Sequence, residues 1–195
     1  TQDHFDWHGD LEHYCQSKAK IFGDQTVIVL NRDDSSVMNL LPAQKLETNR
    51  VISFGLDVPL EEDSFGIVGD MGLGGFDWLA WAEPPIDDES LNTKKRRRNK
   101  NAQNEDAEPL RIKNLIPADA LLIKGRHNAA NALAALALAN SAGLAMGMLL
   151  HGLRAYRGEP HRVQSIAIVN DVEYIDDSKG TNVGATIAAL QGLGS

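Results

Sequence analysis

Short apolar runs alternate along this chain with longer segments of helical periodicity, and polar or glycine-containing junctions separate them. Apolar runs flanked by turn residues predict strands. The predicted strands are 26–31, 51–54, 65–68, 76–82 and 120–123, followed by a hairpin of 163–169 and 173–175 turned at Asn170-Asp171. The predicted helices are 11–22, 128–142, 146–156 and 183–190. Strands and helices mixed in this order predict an α/β architecture.

Composition narrows the class of protein. The 195 residues are 43% hydrophobic and 24% charged, which is typical of a soluble globular protein. A net charge of −8 argues against a general nucleic-acid binder, and no apolar run is long enough to predict a membrane span. The lone Cys15 excludes an internal disulfide and favours the reducing cytoplasm. Because Thr1 is not an initiator Met and no signal peptide follows, we interpret the chain as the middle of a longer protein.

The polar junction before the last predicted helix contains the densest group of side chains that could bind a ligand. It carries two acids, two hydroxyls, a lysine and a glycine in the run Asp176-Asp177-Ser178-Lys179-Gly180-Thr181-Asn182. Ligands bind beyond the carboxyl ends of strands in open α/β sheets, and a helix N-terminus attracts anions. A carboxylate there can hold a ribose hydroxyl, while the lysine can meet a phosphate or a carboxylate. The alternative is a solvated β-α loop.

The first predicted helix places a lysine within an apolar stripe. Helical spacing aligns Leu11, Tyr14, Lys18, Ile21 and Phe22. An inward-facing lysine must extend its amine to water, pair with an acid, or lose its charge. A neutral amine is a nucleophile that can react with carbon dioxide. Extension to water is the alternative to a functional role for Lys18.

Three further segments are rich in polar side chains. The run Asp3-His4-Phe5-Asp6-Trp7-His8 has the ligand types of a divalent-metal or phosphate site, although exposed loop residues would look the same. Asn128 and Asn131 lie one turn apart, so their amides share a helix face that could contact a nucleobase or phosphate; capping by Asn128 is the alternative. Gly158-Glu159-Pro160-His161-Arg162 resembles an interdomain hinge, where Arg162 is either a phosphate ligand or a surface residue.

A basic run stands apart from these patterns. Segment 92–108 contains Lys94, Lys95, Arg96, Arg97, Arg98 and Lys100 and continues into an acidic, Asn-rich stretch. One interpretation is a nucleic-acid or localisation patch. We favour a solvated, mobile insertion loop, because the neighbouring acids partly offset the basic charge.

These segments together resemble the Mur ligase family, which builds the cytoplasmic peptidoglycan precursor. The resemblance covers nearly the whole chain and lies in Asp3-His4 with Asp6, Lys18 four residues after Tyr14, and the motifs at 125–131, 158–162 and 177–182. The last two motifs resemble most closely the members that add D-glutamate. The resemblance implies a central ATPase-type domain at 1–158, incomplete because its phosphate-loop part is missing. It also implies the beginning of a Rossmann-like C-terminal domain at 159–195.

The resemblance also implies roles for individual residues. His4 matches a magnesium ligand near the uridine-nucleotide substrate, and Lys18 matches a lysine that the family carries as a carbamate able to engage Mg²⁺. Lys179 and Thr181 match the place where the phosphate end of ATP meets D-glutamate, and His4, Lys18 and Lys179 would be the catalytic residues. Positions around ATP are matched by Asn128, Asn131, Arg162 and Asp177.

The family's reaction activates the carboxylate of UDP-N-acetylmuramoyl-L-alanine as an acyl phosphate, which the amine of D-glutamate attacks. This chain departs from the family in having no Gly-rich phosphate loop with a Lys-Ser/Thr ending, and Glu159 replaces the usual leucine of the hinge motif. We therefore expect these 195 residues alone to be inactive as a ligase. The alternative function is a non-catalytic nucleotide-binding or interaction module with a Mur-like fold. Neither a membrane nor a nucleic-acid partner is expected.

Overall fold

The computed structural model describes residues 5–69, 77–84 and 110–193. The described helices are α1 (Phe5–His8), α2 (Leu11–Ala19), α3 (Ser35–Leu40), α4 (Ala43–Thr48), α5 (Arg126–Ser141), α6 (Met146–Ala155) and α7 (Val183–Gly192). The described strands are β1 (Ile28–Asn31), β2 (Val51–Phe54), β3 (Ser64–Gly69), β4 (Asp77–Ala82), β5 (Ile112–Pro117), β6 (Gln164–Val169) and β7 (Val172–Asp176). His4 and the basic run 94–100 lie outside the described residues.

The five strands β1 to β5 form one sheet in sequential order. β1, β2 and β3 run parallel, whereas β4 and β5 are antiparallel to their neighbours. The pairing of β6 with β7 is a separate antiparallel hairpin. Its turn residues Asn170 and Asp171 have φ values of 50° and 62°, the left-handed conformation that two-residue hairpin turns require. The predicted α/β class and the predicted hairpin are both confirmed.

Helix α5 forms the core with the larger sheet because its small and branched apolar residues recur at helical spacing. It contacts β1, β2 and β3. Its buried residues are Ala129, Ala132, Leu133, Leu136 and Ala137. On the strand side, Phe65, Leu79 and Ile116 are fully buried in the same cluster. This packing fixes the N-terminal end of α5, which carries the two asparagines.

One predicted strand is wrong and one strand was not predicted. Segment 120–123 is not a strand: a short 3₁₀ helix occupies Ala118–Ala120, and Leu121 then enters the core with 1% exposure. The strand of this region is β5, whose first half is exposed and includes the polar residues Lys113 and Asn114. It forms by backbone pairing with β4, for which apolar periodicity gives no signal. Helices α3 and α4 were also not predicted, since each has only six residues.

Among the described residues, no helix combines the length and the apolar character that a membrane-spanning segment requires.

Candidate functional site

A cleft of 290 Å³ brings together polar side chains from three separated segments of the chain. The first turns of α5 contribute His127, Asn128 and Asn131. The connection between α6 and β6 and the connection between β7 and α7 contribute the charged side chains, which are Glu159, Arg162, Asp177 and Lys179. Ile123 and the alanines of α7 (Ala185, Ala188 and Ala189) supply apolar surface. Five residues singled out from the sequence, namely Asn128, Asn131, Arg162, Asp177 and Lys179, therefore line one cavity.

The two asparagines share a helix face, as their spacing predicts. Asn131 Nδ2 donates to Asn128 Oδ1 at 3.3 Å, and Asn128 Nδ2 donates to the Lys124 carbonyl at 2.8 Å. Asn128 is not the N-cap of α5, because Gly125 occupies that position with φ 96°. The Lys124 carbonyl therefore anchors the side chain of Asn128, and both asparagines line the cleft.

Backbone contacts hold the two charged loops together. The Val163 N–H donates to Asp177 Oδ1 at 3.1 Å, and the Lys179 N–H donates to the His161 carbonyl at 3.1 Å. Val163 has φ 47°, an unfavourable conformation for a β-branched residue that the carboxylate of Asp177 helps to maintain. A Cβ at Gly180 would lie 2.5 Å from Asp177 Oδ2, so a side chain there would displace the carboxylate.

A side-chain hydrogen bond between His161 and Asp176 beside the cleft reinforces this arrangement. His161 Nδ1 lies 2.7 Å from Asp176 Oδ2, and the Ser178 N–H donates to Asp176 Oδ1 at 2.9 Å. The hydrogen bond from His161, followed by that from Ser178, lowers the pKa of Asp176 to about 2 from an ordinary 3.8. Asp176 therefore accepts hydrogen bonds as a carboxylate at neutral pH and ties both loops together.

Tyr156 lines the cleft but was not predicted as a site residue. Tyr156 Oη donates to Glu159 Oε1 at 3.1 Å, and desolvation, followed by this hydrogen bond, raises the pKa of the tyrosine. Tyr156 also lines a neighbouring apolar cavity of 430 Å³ between α5 and α6, which shares Ile123 and Asn131 with the cleft. Tyr156 and Glu159 both follow Ala155, the last residue of α6, so helical periodicity gave no signal that their side chains would meet.

Comparison with known proteins identifies the family that this chain resembles. Residues 1–66 match the family model of the Mur ligase middle domain. A UDP-N-acetylmuramoylalanine–D-glutamate ligase of Paraburkholderia xenovorans is 52% identical over 193 residues, which are 99% of this chain and 37% of the relative. A protein of the same name from Polaromonas is 51% identical over 201 residues, covering 100% of this chain and 32% of the relative. The chain is similar to Mur ligases over nearly its whole length.

Solved structures agree on the fold. The chain is similar to MurF from Acinetobacter baumannii with a TM-score of 0.60 and 19% identity, covering 97% of this chain and 34% of that one. A UDP-N-acetylmuramoyl-L-alanyl-D-glutamate–2,6-diaminopimelate ligase gives a TM-score of 0.53 at 20% identity, with coverage of 86% and 28%. The predicted Mur ligase fold is therefore confirmed. The boundary at 158/159 between two Mur ligase domains stays a prediction.

The expectation that Lys18 faces inward is wrong. Lys18 is exposed, and its Nζ stands 5.3 Å from the centre of the Tyr14 ring. The stripe is not buried because α2 packs on α1 and α3: Leu11 is 42% exposed and Ile21 is 74% exposed. Only one residue of the stripe, Phe22, packs against a core cluster, which is formed by Ile28, Leu30 and Leu41. Phe22 lies beyond the last residue of α2. Lys18 is also not among the residues that line the cleft.

The predicted metal ligands are not assembled in the described part of the chain. No group of three or more His, Cys, Asp or Glu side chains suited to a metal ion occurs among the described residues. His4 lies outside those residues, and Lys18 contacts an aromatic ring. The Mg²⁺ site at His4 and carbamylated Lys18 therefore stays a prediction. Thr181 is exposed and adjoins the cleft through its N–H, which donates to the Lys179 carbonyl at 3.0 Å.

Proposed function

We propose that this chain supplies the ATP-facing cleft of a ligase that joins D-glutamate to UDP-N-acetylmuramoyl-L-alanine in the cytoplasm. The observation that carries the proposal is the assembly of two amides, two cations and two carboxylates in one cleft beside the N-terminus of the 16-residue helix α5. The names of the relatives at 52% and 51% identity support the substrates. Since the chain spans 37% of the length of the first of these relatives, the activity of a whole ligase is part of the proposal.

The chemistry of the lining suits a nucleotide. Planar amides such as Asn128 and Asn131 can form paired hydrogen bonds with a purine, and the apolar cavity beside Tyr156 can cover its ring faces. Asp177 can accept from a ribose hydroxyl with its remaining lone pairs, because the Val163 N–H uses only part of the acceptor capacity of the carboxylate. We therefore assign the base to the α5 side of the cleft and the ribose to Asp177.

The cations of the cleft serve the phosphate end. Arg162 presents a planar guanidinium suited to bidentate contact with phosphate oxygens. Lys179 presents a compact ammonium that can approach either a phosphate or the carboxylate of D-glutamate. Bound ATP would supply the phosphoryl group that activates the muramoyl substrate, and these side chains would orient and partly neutralise its charge. A role for Thr181 beside Lys179 in holding D-glutamate belongs to the same proposal.

Calorimetric titration of the purified chain with ATP tests the proposal. We expect saturable binding that Arg162→Ala and Lys179→Ala each weaken by about 10-fold, the loss of one charge-assisted contact. Lys113→Ala is the matched control, because this exposed lysine on β5 pairs with Glu83 and does not line the cleft. Absence of binding, or equal weakening by Lys113→Ala, would contradict the proposal.

An assay of phosphate release distinguishes ATP binding from catalysis. The sequence contains no Gly-rich loop ending in Lys-Ser/Thr, the element that cradles the β- and γ-phosphates in many ATPases. We expect ATP to bind without D-glutamate-dependent phosphate release when the chain is assayed alone. D-Glutamate-dependent release by the 195 residues would show that this expectation is wrong.

A further inference from the structure

The imidazole of His127 lies in a notch between two glycines that are distant in sequence. A Cβ built at Gly125 would lie 3.0 Å from His127 Cε1 and 2.8 Å from Gly192 Cα. A Cβ built at Gly192 would overlap His127 Cε1 and lie 2.8 Å from Nδ1. Both distances to the ring are shorter than ordinary van der Waals contact. The notch therefore exists only because neither glycine carries a side chain.

The two glycines belong to the two helices that contribute to the cleft. Gly125 is the N-cap of α5, and Gly192 is the last residue of α7. The helices contact each other, and Ala189 is the buried residue of α7. Both helices carry cleft-lining residues, among them Asn128 on α5 and Ala188 on α7. The position of α7 on α5 thus determines how far the asparagines stand from the loop that carries Lys179.

We propose that His127 is a positioning residue whose ring, held between Gly125 and Gly192, sets the docking of α7 on α5 and thereby the width of the nucleotide cleft. The proposal rests on the proposed function of that cleft. His127 lines the cleft itself, so a ring displaced from the notch would also occupy space in which a ligand would lie. No charge on the imidazole is required, because the contact is one of shape.

Gly192→Ala gives a test in which two effects have opposite signs. Alanine favours a helix over glycine, so helix propensity alone predicts slower amide hydrogen exchange in α7. The overlap with His127 predicts the reverse, because α7 must move away or the ring must turn. We expect exchange of the amides of 183–193 to become about 10-fold faster in Gly192→Ala, the scale of one overpacked contact.

A double-mutant cycle assigns the effect to His127. In a His127→Ala background the nearest remaining atom to a Cβ at Gly192 is Gly125 Cα at 3.6 Å, which is an ordinary contact. We therefore expect Gly192→Ala to leave exchange in α7 unchanged or slower in that background. Gly147→Ala in α6 is the matched control, since a Cβ there meets nothing within 4 Å and Gly147 lines neither the cleft nor the apolar cavity. Exchange in α5 reports whether each variant keeps its core.

Titration with ATP links the notch to the cleft. We expect Gly192→Ala to weaken ATP binding about 10-fold and to have less than about 2-fold effect in the His127→Ala background. Slower or unchanged exchange in Gly192→Ala, or faster exchange in both backgrounds, would overturn the role of His127. Faster exchange with an unchanged Kd would overturn the effect on cleft width. If the unsubstituted chain did not bind ATP, the proposed function and the effect of the notch on nucleotide binding would both be overturned. The hydrogen-exchange measurements would still show whether His127 sets the docking of α7 on α5.

Discussion

Removal of the Asp177 carboxylate should affect nucleotide binding in two separable ways. Oδ1 of Asp177 accepts the Val163 N–H at 3.1 Å, and the proposed ribose contact uses the same group. A hydrogen bond to a charged group contributes about 1.5 to 3 kcal/mol, and about 1.4 kcal/mol corresponds to a tenfold change in Kd. We therefore expect Asp177→Ala to raise the Kd for ATP by about 10- to 100-fold. Asp177→Asn should have a smaller effect, because the amide retains one acceptor oxygen.

The ribose contact can be distinguished from the loop tether by changing the ligand. The assay is calorimetric titration of the unsubstituted chain and of Asp177→Ala with ATP and with 2′,3′-dideoxy-ATP. If Asp177 accepts from the ribose, the unsubstituted chain should prefer ATP by about 10-fold, and Asp177→Ala should bind both ligands equally. An equal preference for ATP in both proteins would refute the ribose contact. The weakening by Asp177→Ala would then come from release of the 158–163 loop alone.

Further predictions concern stability. The pKa of Asp176 is about 2 in the folded chain against an ordinary 3.8, so its pair with His161 stabilises the fold above pH 3.8 and is lost as the pH falls towards 2; Asp176→Asn should remove this part of the pH dependence in acid unfolding followed by circular dichroism. Leu133→Ala should reduce the free energy of unfolding in urea by about 2 to 5 kcal/mol, because Leu133 is fully buried; a loss below about 1 kcal/mol would contradict its place in the core. Asn182 Oδ1 accepts the Ala185 N–H at 2.8 Å, so Asn182→Ala should reduce stability by about 1 kcal/mol and Asn182→Asp should preserve it in the same denaturation assay.

Sequence periodicity predicted the elements whose burial is regular. Helix α5 buries residues at intervals of three and four, and its predicted range of 128–142 differs from Arg126–Ser141 by two residues at most. Strand β2 has the bounds that its apolar run predicts. The predictions failed where tertiary pairing decides the structure. β5 is exposed along its first half and is a strand because β4 lies beside it. The apolar segment 120–123 reaches the core without strand pairing.

The same distinction applies to the candidate site: residues related by local spacing could be predicted, whereas residues brought together by tertiary contacts could not. Asn128 and Asn131 could be placed on one face from their spacing, and Asp177 and Lys179 could be placed at a strand-to-helix junction. The exposure of Lys18 could not be predicted, because a stripe on a nine-residue helix does not specify which neighbour the helix packs against. The notch at His127 gave no sequence signal either. It depends on the meeting of Gly125 with Gly192, which are brought together only by the fold.

Photoaffinity labelling with 8-azido-ATP, followed by mapping of the modified peptides, tests most directly whether the start of α5 and the connection that follows α6 form one nucleotide site. The structure predicts adducts in peptides from 123–131 and 156–163 and loss of both adducts when unlabelled ATP is added in excess. Protected adducts confined to the β1–β3 region, with none in these two segments, would contradict the assignment of the cleft.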